Sequence, residues 1–238
     1  MTLPLKGRTA LVTGASRGIG LAVARELAAA GAWVGMVARG GDALAAAAEE
    51  FGGHAIAADV STTAGVHTLA TYLGELLGEG PDLLVNAAGT FAVAPLAETD
   101  PAMFDEQIAA NLRAPFLLIR AFLPMMLQRG TGQIVQIGSV AGRVAFAGNG
   151  AYAASKYGMR GLHEVLLQEI RGTGVRATLV EPAATDTPLW DAIDPDGRPD
   201  FPDRAQMLRP EDVARAVLYA ATQPRHVQLP FIAVEAAA

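Results

Sequence analysis

The sequence predicts an α/β protein in which helices cover both faces of a doubly wound, parallel sheet of about seven strands. Short apolar runs rich in Val, Ile and Leu alternate with longer segments of helical period along the whole chain. The runs are apolar almost throughout, as strands are when both faces of a sheet are buried. Repeated strand–helix–strand order of this kind indicates a parallel sheet.

The predicted elements follow one another without a linker or an internal repeat. Strands are predicted at 8–14, 32–38, 54–60, 82–88, 132–138 and 175–182, with a weaker seventh at 226–234. Helices are predicted at 18–30, 42–51, 62–77, 101–128, 151–171 and 211–222. We therefore expect a single domain over residues 1–238.

One segment, 183–210, interrupts the alternation with a run rich in proline and aspartate. Loops of this length are usually functional or disordered. The segment follows the sixth strand, and open α/β sheets bind ligands beyond the carboxyl ends of their strands. We therefore interpret 183–210 as a substrate lid within the domain.

Composition excludes several classes of site. The chain has no cysteine, so disulfides, thiolate nucleophiles and Cys-ligated zinc are excluded, and its four histidines are too scattered to predict a metal site. A net charge of −6 with dispersed arginines argues against a nucleic-acid partner or a polybasic membrane patch. The N-terminus does not resemble a signal peptide, and Arg120 and Pro124 interrupt the longest apolar stretch. We expect no membrane partner and a cytoplasmic location.

The stretch TGASRGIG at 13–20 predicts a tight turn between the first strand and the first helix. Gly14, Gly18 and Gly20 would let the backbone approach a pyrophosphate at the helix N-terminus, where free N–H groups favour an anion. A glycine-rich loop is weakly diagnostic by itself. Its place at the first strand–helix junction predicts a Rossmann-type dinucleotide site.

Charge near the end of the second strand favours NADP(H) over NAD(H) as the cofactor. Folds that bind NAD usually carry an acid about 20 residues beyond the glycine loop, on the ribose hydroxyl. Here Ala38 and Arg39 occupy that position, and Asp42 more plausibly caps the next helix. Arg39 and Arg17 could clamp a 2′-phosphate. The alternative is two solvated surface arginines.

Tyr152 and Lys156 lie four residues apart, so in a helix they share one face. A nearby cation favours phenolate, and we expect Lys156 to lower the pKa of Tyr152 toward the range suited to general acid–base chemistry. The alternative is an exposed aromatic residue beside a solvated lysine.

Four further polar or small residues fall where they could join this pair. Ser139 follows the fifth strand, and Asn86 and Gly89 end the fourth. Asn111 lies in an otherwise apolar helix, where it could kink the helix or hold a buried water. Each has a simpler interpretation as a cap, a turn or a surface group, but together they predict one site.

Taken together, TGASRGIG, Asp59, NAAG at 86–89, Asn111, Ser139 and YAASK at 152–156 resemble the short-chain dehydrogenase/reductase family in its short single-domain form. The resemblance implies an NADP(H)-dependent oxidoreductase that interconverts a carbonyl and an alcohol. Tyr152 would be the general acid and base, Lys156 would lower its pKa and bond the nicotinamide ribose, Ser139 would polarise the carbonyl, and Asn111 would hold a relay water. Homo-oligomers, dimers or tetramers, are implied as well.

The glycine loop, the two arginines and the resemblance together predict the cofactor contacts. These are Gly14, Ser16, Arg17, Gly18, Ile19, Gly20, Arg39, Asp59, Val60, Asn86, Ala87, Gly89, Tyr152, Lys156, Pro182 and Thr187.

Two positions depart from the family pattern. Ala183 stands where a glycine is expected, which questions the backbone path near the nicotinamide. The C-terminus lacks the usual Asp-Gly-Gly ending, which weakens the inference of a particular subunit contact.

The predicted substrate walls are 90–96, 140–149 and the lid, and they are mostly apolar apart from Arg143. Their side chains include Phe91, Val93, Val144, Phe146, Leu189, Trp190 and Phe201. We expect an apolar or acyl-type small-molecule carbonyl or alcohol. The alternatives are a non-catalytic NADP-sensing protein and an enzyme that recycles a retained cofactor.

Overall fold

Seven parallel strands form one sheet at the centre of the protein, in the order β3-β2-β1-β4-β5-β6-β7. The structure is a computed structural model that describes residues 3–78 and 80–237. The strands are β1 Thr9–Thr13, β2 Trp33–Ala38, β3 His54–Ala57, β4 Leu83–Asn86, β5 Gly132–Ile137, β6 Val175–Pro182 and β7 Phe231–Val234. The predicted Rossmann-type sheet is confirmed. Strand order reverses between β1 and β4, which opens a crevice at their carboxyl ends.

Seven helices cover the sheet on both faces. They are α1 Gly18–Ala29, α2 Asp42–Glu49, α3 Thr63–Leu77, α4 Pro101–Ile108, α5 Ala114–Arg129, α6 Gly150–Glu169 and α7 Pro210–Ala221. Buried side chains of α1, α2 and α7 form one core cluster with the sheet, and those of α3, α5 and α6 form another. Alternate residues of a strand serve opposite clusters: Leu11 packs with the second, Val12 with the first.

The helix predicted at 101–128 is interrupted by a π turn at Ala109–Arg113, between α4 and α5. Asn111 is the fully buried residue of this turn, so the helix is distorted at the position where the sequence suggested that an asparagine could kink it. Pro101–Arg129 is long and apolar enough, by length and composition, to cross a membrane. In this fold Leu118, Phe122 and Met126 of that stretch are buried in the core cluster with α3 and α6.

The 183–210 segment is a long excursion with two short 3-10 helices, Pro188–Trp190 and Arg204–Gln206. Its two ends are tied together because Asp186 N donates to Leu208 O at 2.8 Å and Leu208 N donates to Ala184 O at 2.9 Å. Arg204 adds ion pairs within the segment at 2.7 and 2.8 Å. These bonds hold the two ends of the segment together and fix its conformation.

Both departures from the family pattern are accommodated. Ala183 is not among the non-glycine residues with positive φ, and its N–H donates to Val234 O at 2.9 Å. No glycine is therefore needed for this backbone path. The C-terminal strand β7 pairs with β6, and Glu235 beyond it forms an ion pair with Arg143 at 2.6 Å.

Candidate active site

A cleft of about 1560 Å³ opens at the carboxyl ends of the strands. Its walls come from the residues that follow β1, β2, β4, β5 and β6, together with the 183–210 segment and the start of α6. The predicted glycine loop, the Tyr–Lys pair and the segment that we interpreted as a lid therefore share one cavity.

The glycine loop packs so closely that side chains have no room. A Cβ at Gly20 would lie 2.3 Å from Gly14 O, and a Cβ at Gly14, whose φ is +66°, would lie 2.8 Å from Ala88 Cα. Arg17 holds the N-cap position of α1, but its side chain forms no capping bond. The first-turn N–H groups of α1 thus have no side-chain cap beside the cleft, as an anion site requires.

Two guanidinium groups lie on the same side of the cleft. Arg17 and Arg39 both line it, both are exposed, and neither forms an ion pair within residues 3–78 and 80–237. Asp59 lines the cleft as well, and hydrogen bonds from the Ser61 side chain and backbone lower the pKa of its carboxyl. These residues fit an anionic dinucleotide. The uncapped N–H groups of α1 suit the pyrophosphate, and the guanidinium groups of Arg17 and Arg39 suit a further phosphate.

Ser139 and Tyr152 meet at the centre of the cleft. Ser139 follows β5, and its Oγ accepts a hydrogen bond from Ala141 N at 3.1 Å, which orients the hydroxyl. Tyr152 is in the first turn of α6. Burial raises the pKa of Tyr152 to about 12, and a hydrogen bond with Ser139 opposes that shift. The phenol therefore holds its proton at neutral pH.

Lys156 is only 6% exposed, and its Nζ donates to Ile137 O at 3.0 Å. The Nζ lies 5.5 Å from the centroid of the Tyr152 ring. Burial lowers the pKa of Lys156 to about 8. The expectation that Lys156 sets a lowered pKa for Tyr152 differs from this structure, because burial raises the pKa of the phenol and outweighs the hydrogen bond with Ser139 that lowers it.

Two buried amide side chains hold the loop after β4 in place. Asn111 Oδ1 accepts from Thr90 N at 2.9 Å, and its Nδ2 donates to Thr90 O at 2.9 Å and to Ser155 Oγ at 3.1 Å. Four residues earlier, Gln107 pairs in the same way with N and O of Ala92, at 3.3 and 3.2 Å. The two amides thus pair with alternate residues of the loop, as a neighbouring strand would. Because both Nδ2 protons of Asn111 are used, its amide has no donor left for a relay water.

Most predicted site residues lie on the walls of this cleft. Those that line it are Gly14, Ser16, Arg17, Gly18, Ile19, Gly20, Arg39, Asp59, Val60, Ala87, Gly89, Asn111, Ser139, Tyr152, Lys156, Pro182 and Thr187. Asn86 does not: it is buried at the end of β4, and neither amide atom has a hydrogen-bond partner. Arg143 and Val144 also lie off the walls, and Arg143 pairs with Glu235 instead.

An aromatic row runs from Tyr152 into the 183–210 segment. Ring centroids are 4.7 Å apart for Phe91 and Tyr152, 5.0 Å for Phe91 and Trp190, and 5.6 Å for Trp190 and Phe201. All three contacts are edge-to-face, the arrangement that aromatic quadrupoles favour. The predicted apolar wall is therefore largely aromatic.

Several wall residues were not singled out from the sequence. Glu106, Asp200 and Glu235 bring carboxylates to the cleft, Arg198 brings a cation, and Asn149 brings an amide. Asn149 had a local signal, because it precedes α6 where helix-capping residues are common. Arg198 and Asp200 fall within the predicted lid, whereas Glu106 and Glu235 have no signal in their own neighbourhood because distant segments bring them to the cleft. Within the described parts of the chain, no group of three or more His, Asp or Glu converges on a metal site.

Comparison with known proteins agrees with this geometry. The sequence pattern of the short chain dehydrogenase family matches residues 8–197. Over 98% of its length the chain is 37% identical to glycine betaine reductase of Emericella nidulans, of which it spans only 19%. It is 36% identical to D-threitol dehydrogenase of Mycolicibacterium smegmatis, over 92% of this chain and 87% of the other.

A solved structure is similar over the whole chain. A metagenomic short-chain oxidoreductase in complex with NADP has a TM-score of 0.83, 36% identity and 99% coverage of both chains. The resemblance seen in the sequence motifs is thereby confirmed. The chain belongs to the short-chain dehydrogenase/reductase family of oxidoreductases.

Proposed function

We propose that this protein is an NADP(H)-dependent oxidoreductase that interconverts a ketone or aldehyde with an alcohol, with Tyr152 as general acid and base. The observation that carries the proposal is the phenol of Tyr152 beside Ser139 in a cleft shared with the glycine loop. A phenol with a pKa of about 12 is protonated at neutral pH, which suits it to donate a proton during reduction.

In the proposed reaction the substrate carbonyl oxygen accepts hydrogen bonds from the hydroxyls of Ser139 and Tyr152. When bound, the nicotinamide would supply a hydride for the carbonyl carbon. The phenolic proton of Tyr152 moves to the carbonyl oxygen, which completes the alcohol and leaves a phenolate. Lys156, close to the ring, stabilises that phenolate through its charge. Asn111 is a positioning residue, because its amide holds Thr90 and Ser155.

Replacing Tyr152 with phenylalanine tests this role. We expect kcat for carbonyl reduction to fall by about 10²–10⁴, the usual contribution of a general acid, with the Kd for NADPH changed little. Tyr219→Phe is the matched control, because Tyr219 is 58% exposed and does not line the cleft. Turnover near the wild-type rate in Tyr152→Phe would refute the assignment. NADPH binding by the wild-type protein without turnover across a broad substrate panel would indicate a sensor.

We infer NADP(H) over NAD(H) from the two arginines and the lack of an acid at the end of β2. That a similar structure was solved with NADP supports the choice. Arg39→Asp should raise the preference for NADH, measured as the ratio of kcat/KM for the two cofactors. Arg120→Asp, on an exposed position outside the cleft, makes the same charge change and should leave the ratio unaltered. An unchanged ratio in Arg39→Asp would contradict the phosphate clamp.

The substrate is proposed to be a small carbonyl or alcohol with an apolar or acyl-type portion. Phe91, Trp190 and Phe201 supply an aromatic wall beside Tyr152. The 183–210 segment contributes Trp190 and Phe201 to that wall, which supports its interpretation as the substrate lid. One relative is named a D-threitol dehydrogenase, so hydroxylated compounds are the second class of substrate to screen.

We also propose that the protein forms a homo-oligomer through an apolar patch on α4, α5 and α6. Phe104 and Phe116 are 41% and 46% exposed on α4 and α5, and Tyr157 and Val165 are 45% and 55% exposed on α6. Leu112, between the two phenylalanines in sequence, packs against Gly158 of α6, so the turn between α4 and α5 lies against the helix that carries Tyr157 and Val165. Light scattering after size-exclusion chromatography measures the number of subunits.

A further inference from the structure

Asn149 lies on the cleft wall, and its side chain forms no hydrogen bond with the other described residues. It precedes α6 at the N-cap position and is only 7% exposed. Its backbone is satisfied, because its N–H donates to Phe146 O at 3.2 Å and its carbonyl accepts from Ala153 N at 2.8 Å. Its side chain forms no capping bond, and its Oδ1 is buried without a partner.

Both features carry a cost in stability. An asparagine at an N-cap ordinarily bonds a first-turn N–H and contributes about 1 kcal/mol. A buried acceptor without a partner costs about 1–3 kcal/mol. Unsatisfied polar groups of this kind are uncommon in folded proteins and concentrate at functional sites.

The amide lies next to the reacting centre. Asn149 lines the cleft and is three residues before Tyr152, so the two side chains begin from the same face of the first turn of α6. Its Nδ2 forms no hydrogen bond with the described residues, and unlike Oδ1 it is not among the buried unpaired atoms. Asn149 thus brings to the cleft an amide whose Oδ1 is buried without a partner and whose Nδ2 forms no hydrogen bond with the described residues.

We propose that Asn149 Nδ2 donates a hydrogen bond to a second oxygen of the substrate, so that the preferred substrates carry a hydroxyl or a carbonyl close to the reacting carbon. This inference rests on the proposed oxidoreductase function and narrows its substrate class. Ser139 and Tyr152 bind the reacting oxygen of the substrate, and the aromatic row contacts its apolar portion. Asn149 donates a hydrogen bond to its second oxygen. An aromatic wall with one open amide suits a molecule that has an apolar side and a neighbouring pair of oxygens.

Three four-carbon ketones separate these contributions: butanone, which lacks a second oxygen, acetoin, which has a hydroxyl there, and diacetyl, which has a carbonyl. With NADPH and wild-type protein we expect kcat/KM for acetoin or diacetyl to exceed that for butanone. In Asn149→Ala that advantage should fall by about tenfold, the size of one hydrogen bond to a neutral group. Butanone should change by less than about threefold. Asn149→Ser, which keeps a hydroxyl donor, should restore part of the preference.

The outcomes distinguish this inference from the function on which it rests. If wild-type protein reduces a ketone but Asn149→Ala leaves the ratio of kcat/KM values unchanged, the inference is wrong and the proposed function stands. If Asn149→Ala lowers kcat/KM for all three ketones equally and also lowers Tm, Asn149 has only a structural role and the inference is overturned. If wild-type protein oxidises NADPH with none of a broad ketone panel, both the function and the inference fail.

Discussion

Replacing Asn111 with alanine is expected to lower the free energy of unfolding by about 3–5 kcal/mol. The side chain is fully buried and forms three hydrogen bonds, two with Thr90 and one with Ser155. Alanine removes all three and leaves the N–H and C=O of Thr90, a half-buried residue on the cleft wall, without these partners. Each unpaired buried group costs about 1–3 kcal/mol, and a small cavity adds to the loss.

Gln107→Ala is the matched control for this measurement. Gln107 is 1% exposed and pairs with Ala92 through two longer bonds, at 3.2 and 3.3 Å. Its loss should be smaller, about 2–3 kcal/mol. Urea unfolding of both variants and wild type, followed by circular dichroism, gives the three free energies. A loss below about 1 kcal/mol in Asn111→Ala, or one smaller than in Gln107→Ala, would refute the reasoning.

The same variant bears on how mutational data for this site are interpreted. The loop after β4 carries Phe91, which contacts the ring of Tyr152. Loss of the Asn111 amide releases that loop, so activity should fall even when proton transfer is intact. A fall in kcat in Asn111→Ala is therefore not a measure of a proton relay. Activity should be compared at a temperature where both variants are folded.

Two further predictions concern single positions in the cleft. Gly20→Ala should lower Tm and weaken NADPH binding, because its Cβ would lie 2.3 Å from Gly14 O. Gly41→Ala, which does not line the cleft and has nothing within 4 Å of its added Cβ, should leave both unaltered. Thermal shift with and without NADPH measures both effects. Lys156→Met should abolish a rise in stability between about pH 8 and 10.5, because the folded pKa of about 8 lies below the unfolded value of 10.5. In that window the unfolded state binds more protons, so wild-type stability rises with pH by up to about 3 kcal/mol. Urea unfolding at pH 7.5 and 10.5 measures it, and an equal rise in Lys156→Met would contradict the assigned shift.

The fold was predictable because its signal repeats along the chain. Near-continuous apolar strands and helices of regular period fix the layers, and the parallel order follows from their alternation. The π turn at Ala109–Arg113 was not predicted as such. One inserted residue leaves the apolar pattern of 101–128 almost unchanged, so only the buried polar Asn111 indicated a distortion.

The position of the site was predictable for a related reason. In a parallel sheet the residues after each strand gather at one edge, so Gly14, Gly89 and Ser139 reach one cleft although they are distant in sequence. The environment of each side chain was not predictable. The unpaired amide of Asn149 depends on contacts that only the folded chain defines, and the four charged wall residues come from three separate segments.

The Tyr152–Lys156 pair shows most directly what spacing cannot supply. Four residues of separation predicted that the two groups meet, and the structure brings Nζ to 5.5 Å from the ring centroid. The pKa of Tyr152 is raised by burial and lowered by the hydrogen bond with Ser139, and neither effect is encoded in the spacing of Tyr152 and Lys156. With a pKa of about 12 for Tyr152 and about 8 for Lys156, the phenol and the ammonium both hold their protons at neutral pH. Under the proposed mechanism, reduction begins from this state directly, because the phenol gives its proton and the ammonium remains beside the phenolate. Oxidation must first remove a proton from a buried phenol, so in that direction additional positive charge near the ring has to lower its pKa.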